Sequence, residues 1–327
     1  MPDIEDIKSR LFDLPIVIDA WRQDDIYDGV FPKGARDKSV YFSPKESGID
    51  CLKPDHRYLF KLSRKWCPWQ FWVEVIAYRL GLLMGVGVPP AHIGLNRTYA
   101  QGRDTYGALI EWFFDDRKDM YVEGGQFMVA FIKDYDRQKG LQHNFTDIAN
   151  NLGSFPRFMK YWAGVFTLDC LTGNTDRHQD NWGLVIENGK LADAQTGRVI
   201  FSPAFDNGTA MGYEILEANL EKYRDEERLQ AYLTNPRHAH HHMKWSLEKP
   251  EPVNFHDFMR KFVERFPDSL NIIMSYLTFT RSQVEEVTDP LVDAISGSEY
   301  SLNRKRLDFM RELIFRRKEL LERTLGI

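Results

Sequence analysis

A chain of 327 residues that is 43% hydrophobic and 28% charged, with 22 phenylalanines and eight tryptophans, can build about two packed domains, which excludes a disordered chain. Its formal net charge of −5, without a long single-sign run, argues against direct binding of nucleic acid as its organising role. Cys51, Cys67 and Cys170 form neither a disulfide framework nor a CxxC metal knuckle, and no signal-like start or long apolar span is evident, so a cytoplasmic protein with no membrane partner is expected.

Short apolar or alternating runs bounded by Gly, Pro and Asp open the chain: "PIVIDAW", "SVYF" and "RYLFKLS" read as strands. A helix is predicted in "CPWQFWVEVIAYRLGLLMGVGVPP", where proline precedes the apolar pattern and Gly-Val-Pro-Pro ends it. "AHIGLNRTYA" and "YGALIEWFF" then read as two strands joined by the turn "QGRD". From about residue 114 the pattern becomes helical. "FPRFMKYWAGVFTLDCLTG" is a helix stopping at Gly173, and "WGLVIENGKLADA" a hairpin turning at Asn188-Gly189. A short strand in "RVIFSPAFDNG" leads to a tight loop. At the end, Leu307, Met310, Ile314, Leu321 and Leu325 share one helix face with mixed charges opposite. The layout is a small sheet with one long helix, then a larger helical part carrying a polar loop.

That loop, "GNTDRHQDNWG" at residues 173–183, holds a pattern that phosphoryl transfer requires. Charge spreads over oxygens in the transition state, so a kinase needs a base beside the acceptor hydroxyl, a metal clamp and a cation on the phosphates. Asp176 and Asn181 stand five positions apart, and Asp206 follows in "FDNG" past the hairpin. Lys61 sits in the strand "YLFKL" and Glu74 on the helix after it. This is the order of base, metal ligands and lysine–glutamate pair found in protein kinases.

"GNTDRHQDNWGL" followed by "FSPAFDNG" resembles the HipA-like kinases, serine/threonine protein kinases with a distant protein-kinase fold. The resemblance runs from Lys61 through "VEVIAYRLGL" to the C-terminal helices. It implies an α+β, bilobed protein-kinase-like fold. The N-lobe, residues 1–113, would be a small antiparallel sheet with one long helix, and the C-lobe, 114–327, mainly helical. It also implies ATP and Mg²⁺ as cofactors and a protein carrying Ser or Thr as substrate, with a regulatory or antitoxin-like protein as a further partner. Residue by residue, Asp176 would be the base, His178 the organiser of its loop, and Asn181 and Asp206 the magnesium ligands. Lys61 would meet the ATP phosphates with Glu74 fixing it. Glu111, Trp112 and Phe113, within the hinge Ile110–Phe114, would face the adenine. "FPKGARDKS" falls where a phosphate-covering loop belongs, with Gly34, Ala35 and Arg36 near the phosphates. It has one glycine where ordinary protein kinases have several. Ser39 would be its autophosphorylated residue.

Other readings of the same residues are available. A small-molecule or lipid phosphotransferase would also place Asp and Asn on one loop with a later metal-binding Asp. A silent nucleotide-binding module, or a toxin–antitoxin component, would need no turnover. Lys61 and Glu74 taken singly read as surface residues, and Asp206 before Asn-Gly as turn chemistry. Asp180 and Asp193 read as solvated. "HAHHH", His238 to His242, reads as an exposed loop rather than a metal site, having no acidic or Cys partner at ligand spacing. "RKR" and "FRRK" read as a helix face with ion pairs.

Overall fold

The structure, a computed structural model, describes residues 3–24, 36–100, 102–190, 198–236 and 238–327. A short helix, α1 (Ile4–Lys8), is followed by strands β1 (Ile16–Val17), β2 (Arg22–Gln23), β3 (Lys38–Phe42) and β4 (Arg57–Lys61). Helix α2 (Phe71–Met84) separates these from β5 (Ala91–Ala100) and β6 (Arg103–Glu111). Next come β7 (Met120–Glu123), α3 (Gly124–Phe131), α4 (Phe145–Leu152), α5 (Phe158–Thr172), β8 (Gly183–Ile186) and β9 (Val199–Phe201). The remaining helices are α6 (Glu226–Thr234), α7 (Phe255–Arg265), α8 (Ser269–Tyr276), α9 (Arg281–Thr288) and α10 (Arg304–Leu325). No helix among the described residues is long and apolar enough to cross a membrane.

One compact unit comprises Met1–Trp112, Tyr213–Leu220 and Phe279–Arg311. Its sheet runs β1-β5-β6-β4-β3-β2. All its pairs are antiparallel except β1 with β5, which are parallel. The antiparallel sheet expected from the sequence is present, with one parallel pair at its edge, where the long excursion between β1 and β5 supplies the crossover that a parallel pair needs. Ile16, Ile18, Tyr41, Leu52, Tyr58, Phe60 and Leu109 form a buried cluster in this unit.

Helix α2 begins after a 3₁₀ turn at Pro68–Gln70 and ends on Gly85, whose φ of 73° is the left-handed cap a side chain would resist. All of its residues but Leu82 are buried, so it needs cover on every side. The sheet alone cannot give that. Arg79 donates to Val287 O at 2.5 Å and Trp72 Nε1 to Tyr300 O at 2.8 Å, which ties late segments to this early helix. The units are therefore not the two continuous stretches 1–113 and 114–327, because α2 recruits residues 279–311.

The second unit comprises Phe113–Gly212, Glu221–Thr278 and Glu312–Ile327. Its core is aromatic. Phe145, at the start of α4, meets Phe158, Trp162 and Phe166 of α5 and Phe258 and Phe262 of α7, with ring centroids 5.1–6.1 Å apart. Such offset and edge-on pairs add to the burial of each ring.

A second sheet, β7-β8-β9, corrects one expectation. Residues 120–123 form a strand within the stretch read as helical. β8 pairs with β9 as well as with β7. Asn188 does turn the chain, with φ 56°, and Glu187 N–H donates to Arg198 O at 2.9 Å. Residues 191–197, including Asp193, lie outside the described residues.

Gly124 brings α3 against the polar loop. A Cβ on it would run into the Trp182 indole and Gln179 O. Gly124→Ala is expected to destabilise the protein by about 1–3 kcal/mol, the usual range for overpacking, as measured by urea denaturation.

Helix α10 buries Leu307, Met310, Ile314 and Leu321 as its pattern indicates, with Leu325 half-buried. Of its basic residues, Arg306 and Arg317 are buried, at 0% and 1% exposure. Arg306 is paired with Glu217 at 2.6 Å. Arg317 donates to Thr172 O at 3.2 Å, capping α5.

Candidate active site

In the first unit Lys61 is the last residue of β4, in register with Lys38 of β3 and Ala108 of β6. Its Nζ donates to Glu74 Oε1 at 2.8 Å, and both residues are buried. Arg36 Nη2 lies 3.6 Å from the same carboxylate oxygen. Opposed residues in a sheet share a face, so Lys38 and Lys61 are on one side of it. Two cationic side chains thus meet the single carboxylate of Glu74, with Lys38 on the same sheet face as Lys61, an excess of positive charge that suits phosphate.

Ser39 is placed differently from its expected role. It is paired with Phe60 in β3–β4, on the face that carries Tyr41 and Phe60, opposite to Lys61. It is also buried, at 9% exposure. In this register the Ser39 hydroxyl and the Lys61 side chain lie on opposite faces of the sheet. Gly34 and Ala35 lie outside the described residues.

At the end of β6 the backbone is largely committed. Glu111 N–H donates to Pro90 O at 2.8 Å and Trp112 N–H to Arg57 O at 3.0 Å. Trp112 O lies 2.8 Å from the His56 ring nitrogen. The Glu111 carboxylate takes Lys53 Nζ at 2.7 Å. Glu111 N–H and both backbone groups of Trp112 therefore serve the fold, which leaves Phe113, the first residue of the second unit, as the hinge member with a distinct setting. Its ring stacks on Phe205 at 5.1 Å.

In the second unit α5 delivers the polar loop. Its end is fixed by Gly173, with φ 70° and with the Arg317 guanidinium so close that a Cβ would collide with it. Asn174 Oδ1 accepts from Asp176 N–H at 3.2 Å and from Thr209 Oγ1 at 3.0 Å. Asn181 Nδ2 donates to Asp176 O at 2.6 Å, so the residues five apart in sequence are in direct contact. His178 Nδ1 accepts from Asp180 N–H at 3.2 Å. Asp206 has φ 55°, a left-handed conformation that Asp tolerates better than most residues.

Two residues without an assigned role in the sequence join these loops. Arg177 is 0% exposed and forks onto Asp169 of α5, Nη2 to Oδ1 at 2.7 Å and Nε to Oδ2 at 3.0 Å. It also donates to Asn181 O at 3.2 Å, to Asn207 Oδ1 at 2.8 Å and to Phe205 O. One guanidinium therefore grips the loop of Asp176 and Asn181 and both neighbours of Asp206. Burial pushes the Asp169 pKa up, but Arg177 and His241 outweigh it and hold the carboxyl below its ordinary value. Burial likewise works against the Arg177 charge, and Asp169, chiefly, reverses the effect. An Asp inside an apolar helix was the available sequence signal, since a buried carboxylate needs a partner.

Two further readings are corrected here. Asp180 is half-buried rather than solvated. Its Oδ1 lies 3.7 Å from Arg137 Nε, and the lack of a Cβ on Gly125 lets α3 approach it. "HAHHH" is not simply an exposed loop, because Ala239 and His241 are 0% and 2% exposed. His241 is drawn inward by Asp169. Among the described residues no group of three or more His, Cys, Asp or Glu could hold a metal ion. Oxygen donors for a hard cation are nevertheless present in the Asp206 carboxylate and in Asn181, whose Nδ2 is spent on Asp176 O and which can offer Oδ1.

The chain superposes on the crystal structure of the Helicobacter pylori proinflammatory kinase CtkA with a TM-score of 0.70, covering 95% of this chain and 96% of that one. The fold is that of a kinase. Sequence identity to CtkA is 15%, so the likeness is one of fold. HipA of Shewanella oneidensis MR-1, from a complex with HipB and operator DNA, matches at a TM-score of 0.42 and 12% identity, over 99% of this chain and 71% of that one. No protein-family model matches the sequence, and no curated protein does. Within the CtkA-like kinase fold, the Lys61–Glu74 pair and the Arg177-tied loops are the polar assemblies described above.

Proposed function

We propose that the protein is an ATP-dependent phosphotransferase acting on serine or threonine of a protein substrate. The observation that carries this reading is the hold of Arg177 on Asn181 O, Phe205 O and Asn207, which keeps Asp176, Asn181 and Asp206 in one hydrogen-bonded assembly. The kinase fold and the buried Lys61–Glu74 pair support it.

In this reading Asp176 accepts or orients the proton of the acceptor hydroxyl. Asn181 Oδ1 and the Asp206 carboxylate would hold magnesium, which favours oxygen donors. Magnesium, when bound, neutralises charge on the phosphate oxygens. Lys61, kept extended by Glu74, meets the phosphates, aided by Arg36 and Lys38. His178 keeps the loop in shape through its bond from Asp180 N–H. A regulatory protein partner remains part of the proposal through the HipA-like resemblance of the motif.

Incubation of the purified protein with Mg²⁺, ATP and a mixed protein extract tests the reading by mass spectrometry. Phosphoserine or phosphothreonine on proteins, its own chain included, is expected. Phosphate found only on metabolites or lipids would replace this function with that of a small-molecule phosphotransferase. Ser39, buried in β3, is not expected among the modified residues while the protein is folded. Asp206→Ala is expected to weaken Mg·ATP binding by about tenfold or more, as the loss of a charged partner costs about 1.5–3 kcal/mol. Equilibrium titration with and without Mg²⁺ checks it, and an unchanged affinity removes Asp206 from the metal site.

A further inference from the structure

Of the histidines in "HAHHH", His241 reaches the buried charge pair beneath the polar loop. Its backbone N–H donates to Val253 O at 3.0 Å, which fixes the strand-like segment that carries it. Met243 N–H donates to its Nδ1 at 3.3 Å, so in the neutral ring the proton sits on Nε2. Nε2 lies 3.4 Å from Asp169 Oδ2, long for a hydrogen bond and aimed at a carboxylate. The ring stacks on Phe258 at 4.6 Å and meets the Phe166 edge at 5.0 Å, so it has little freedom to turn away.

An ionised carboxylate offers about four acceptor positions. On Asp169, Oδ1 takes Arg177 Nη2 and Asn174 Nδ2, at 2.7 and 3.1 Å, and Oδ2 takes Arg177 Nε at 3.0 Å. The remaining position on Oδ2 faces His241. A phenylalanine could fill this aromatic pocket, yet the residue present accepts a hydrogen bond at Nδ1 and sets Nε2 beside the buried carboxylate at 3.4 Å. We propose that His241 is a positioning residue that completes the Asp169 carboxylate and thereby fixes the Arg177 guanidinium holding the Asn181 and Asp206 loops together. Its consequence for Mg·ATP rests on the function proposed above.

The test compares the full-length protein with His241→Phe, which keeps the stacking ring, and His241→Gln, which keeps an N–H donor. Hydrogen exchange of residues 174–182 and 203–208 is measured without nucleotide, and the Mg²⁺ needed for half-maximal ATP binding is measured beside it. In the Phe variant both segments should exchange about tenfold faster together, as expected when a buried carboxylate loses a polar neighbour, while α5 and α7 keep their protection. The Mg²⁺ requirement should rise by a similar factor, and Gln should restore most of both. Wild-type exchange in the Phe variant, equal impairment by Gln and Phe, or uniform loosening that includes α5 and α7 would each overturn the proposal. If the two segments loosen as expected but the wild-type protein binds no Mg·ATP, the positioning role stands and the phosphotransferase reading falls.

Discussion

Asp176→Asn is expected to lower phosphoryl transfer by about 10²–10⁴-fold, the usual contribution of a positioned general base, while leaving ATP affinity within a few-fold of wild type. Two backbone contacts hold this residue in the loop: Asp176 N–H donates to Asn174 Oδ1 and Asp176 O accepts from Asn181 Nδ2. An asparagine keeps both of these contacts and nearly the same shape, while the change removes the carboxylate's basicity. The base acts on the acceptor hydroxyl rather than on the nucleotide, which is why binding and turnover should separate. Single-turnover transfer of labelled phosphate, measured beside equilibrium nucleotide binding, checks both parts. A variant that turns over at nearly the wild-type rate excludes Asp176 as the base. One that no longer binds nucleotide assigns the residue to binding instead.

Arg177→Met should produce the largest loss of stability, about 3–5 kcal/mol, the typical cost of removing one partner from a buried ion pair. Methionine fills much of the same volume but leaves Asp169, at 0% exposure, with an uncompensated charge. Its remaining neighbours are Asn174 Nδ2 and the more distant His241 Nε2. The backbone acceptors Asn181 O and Phe205 O lose their donor in the same step. Against a total stability of about 5–15 kcal/mol, this approaches the limit of folding. Chemical denaturation measures it. Adding Asp169→Asn to the Arg177→Met protein should recover part of the loss, because the stranded charge is then gone. A single variant that loses less than about 1 kcal/mol would show that the pair is not the brace described here.

The sequence made the members of the candidate site legible because the chemistry demands particular types in a particular order. Lys61 in a strand, Glu74 on the next helix, Asp176 and Asn181 five apart, and Asp206 at a tight turn are local facts of this kind. The structure joins Lys61 to Glu74 at 2.8 Å and Asn181 to Asp176 at 2.6 Å. Ser39 was misplaced because linear proximity to a phosphate loop says nothing about strand register, and a shift of one residue exchanges the faces of a sheet. The burial of Arg306 and Arg317 was not legible, because an arginine in a charged run looks the same whether it meets water or a carbonyl.

What the sequence by itself determined was the inventory. Apolar periodicity marked α2, α5 and α10, and Gly173 marked where α5 stops, whereas α2 ends on Gly85, just before the Gly87-Val88-Pro89-Pro90 stop read from the sequence. These are short-range effects of backbone conformation and burial, and they depend on neighbours a few residues away. The tertiary structure decided which distant groups share a buried charge. Asp169, Arg177, Asn207 and His241 come from four places in the chain, and no local rule pairs them. A carboxylate buried in α5 must find cations and donors wherever the fold brings them. Here that requirement links the polar loop, the Asp206 turn and the histidine stretch into one assembly.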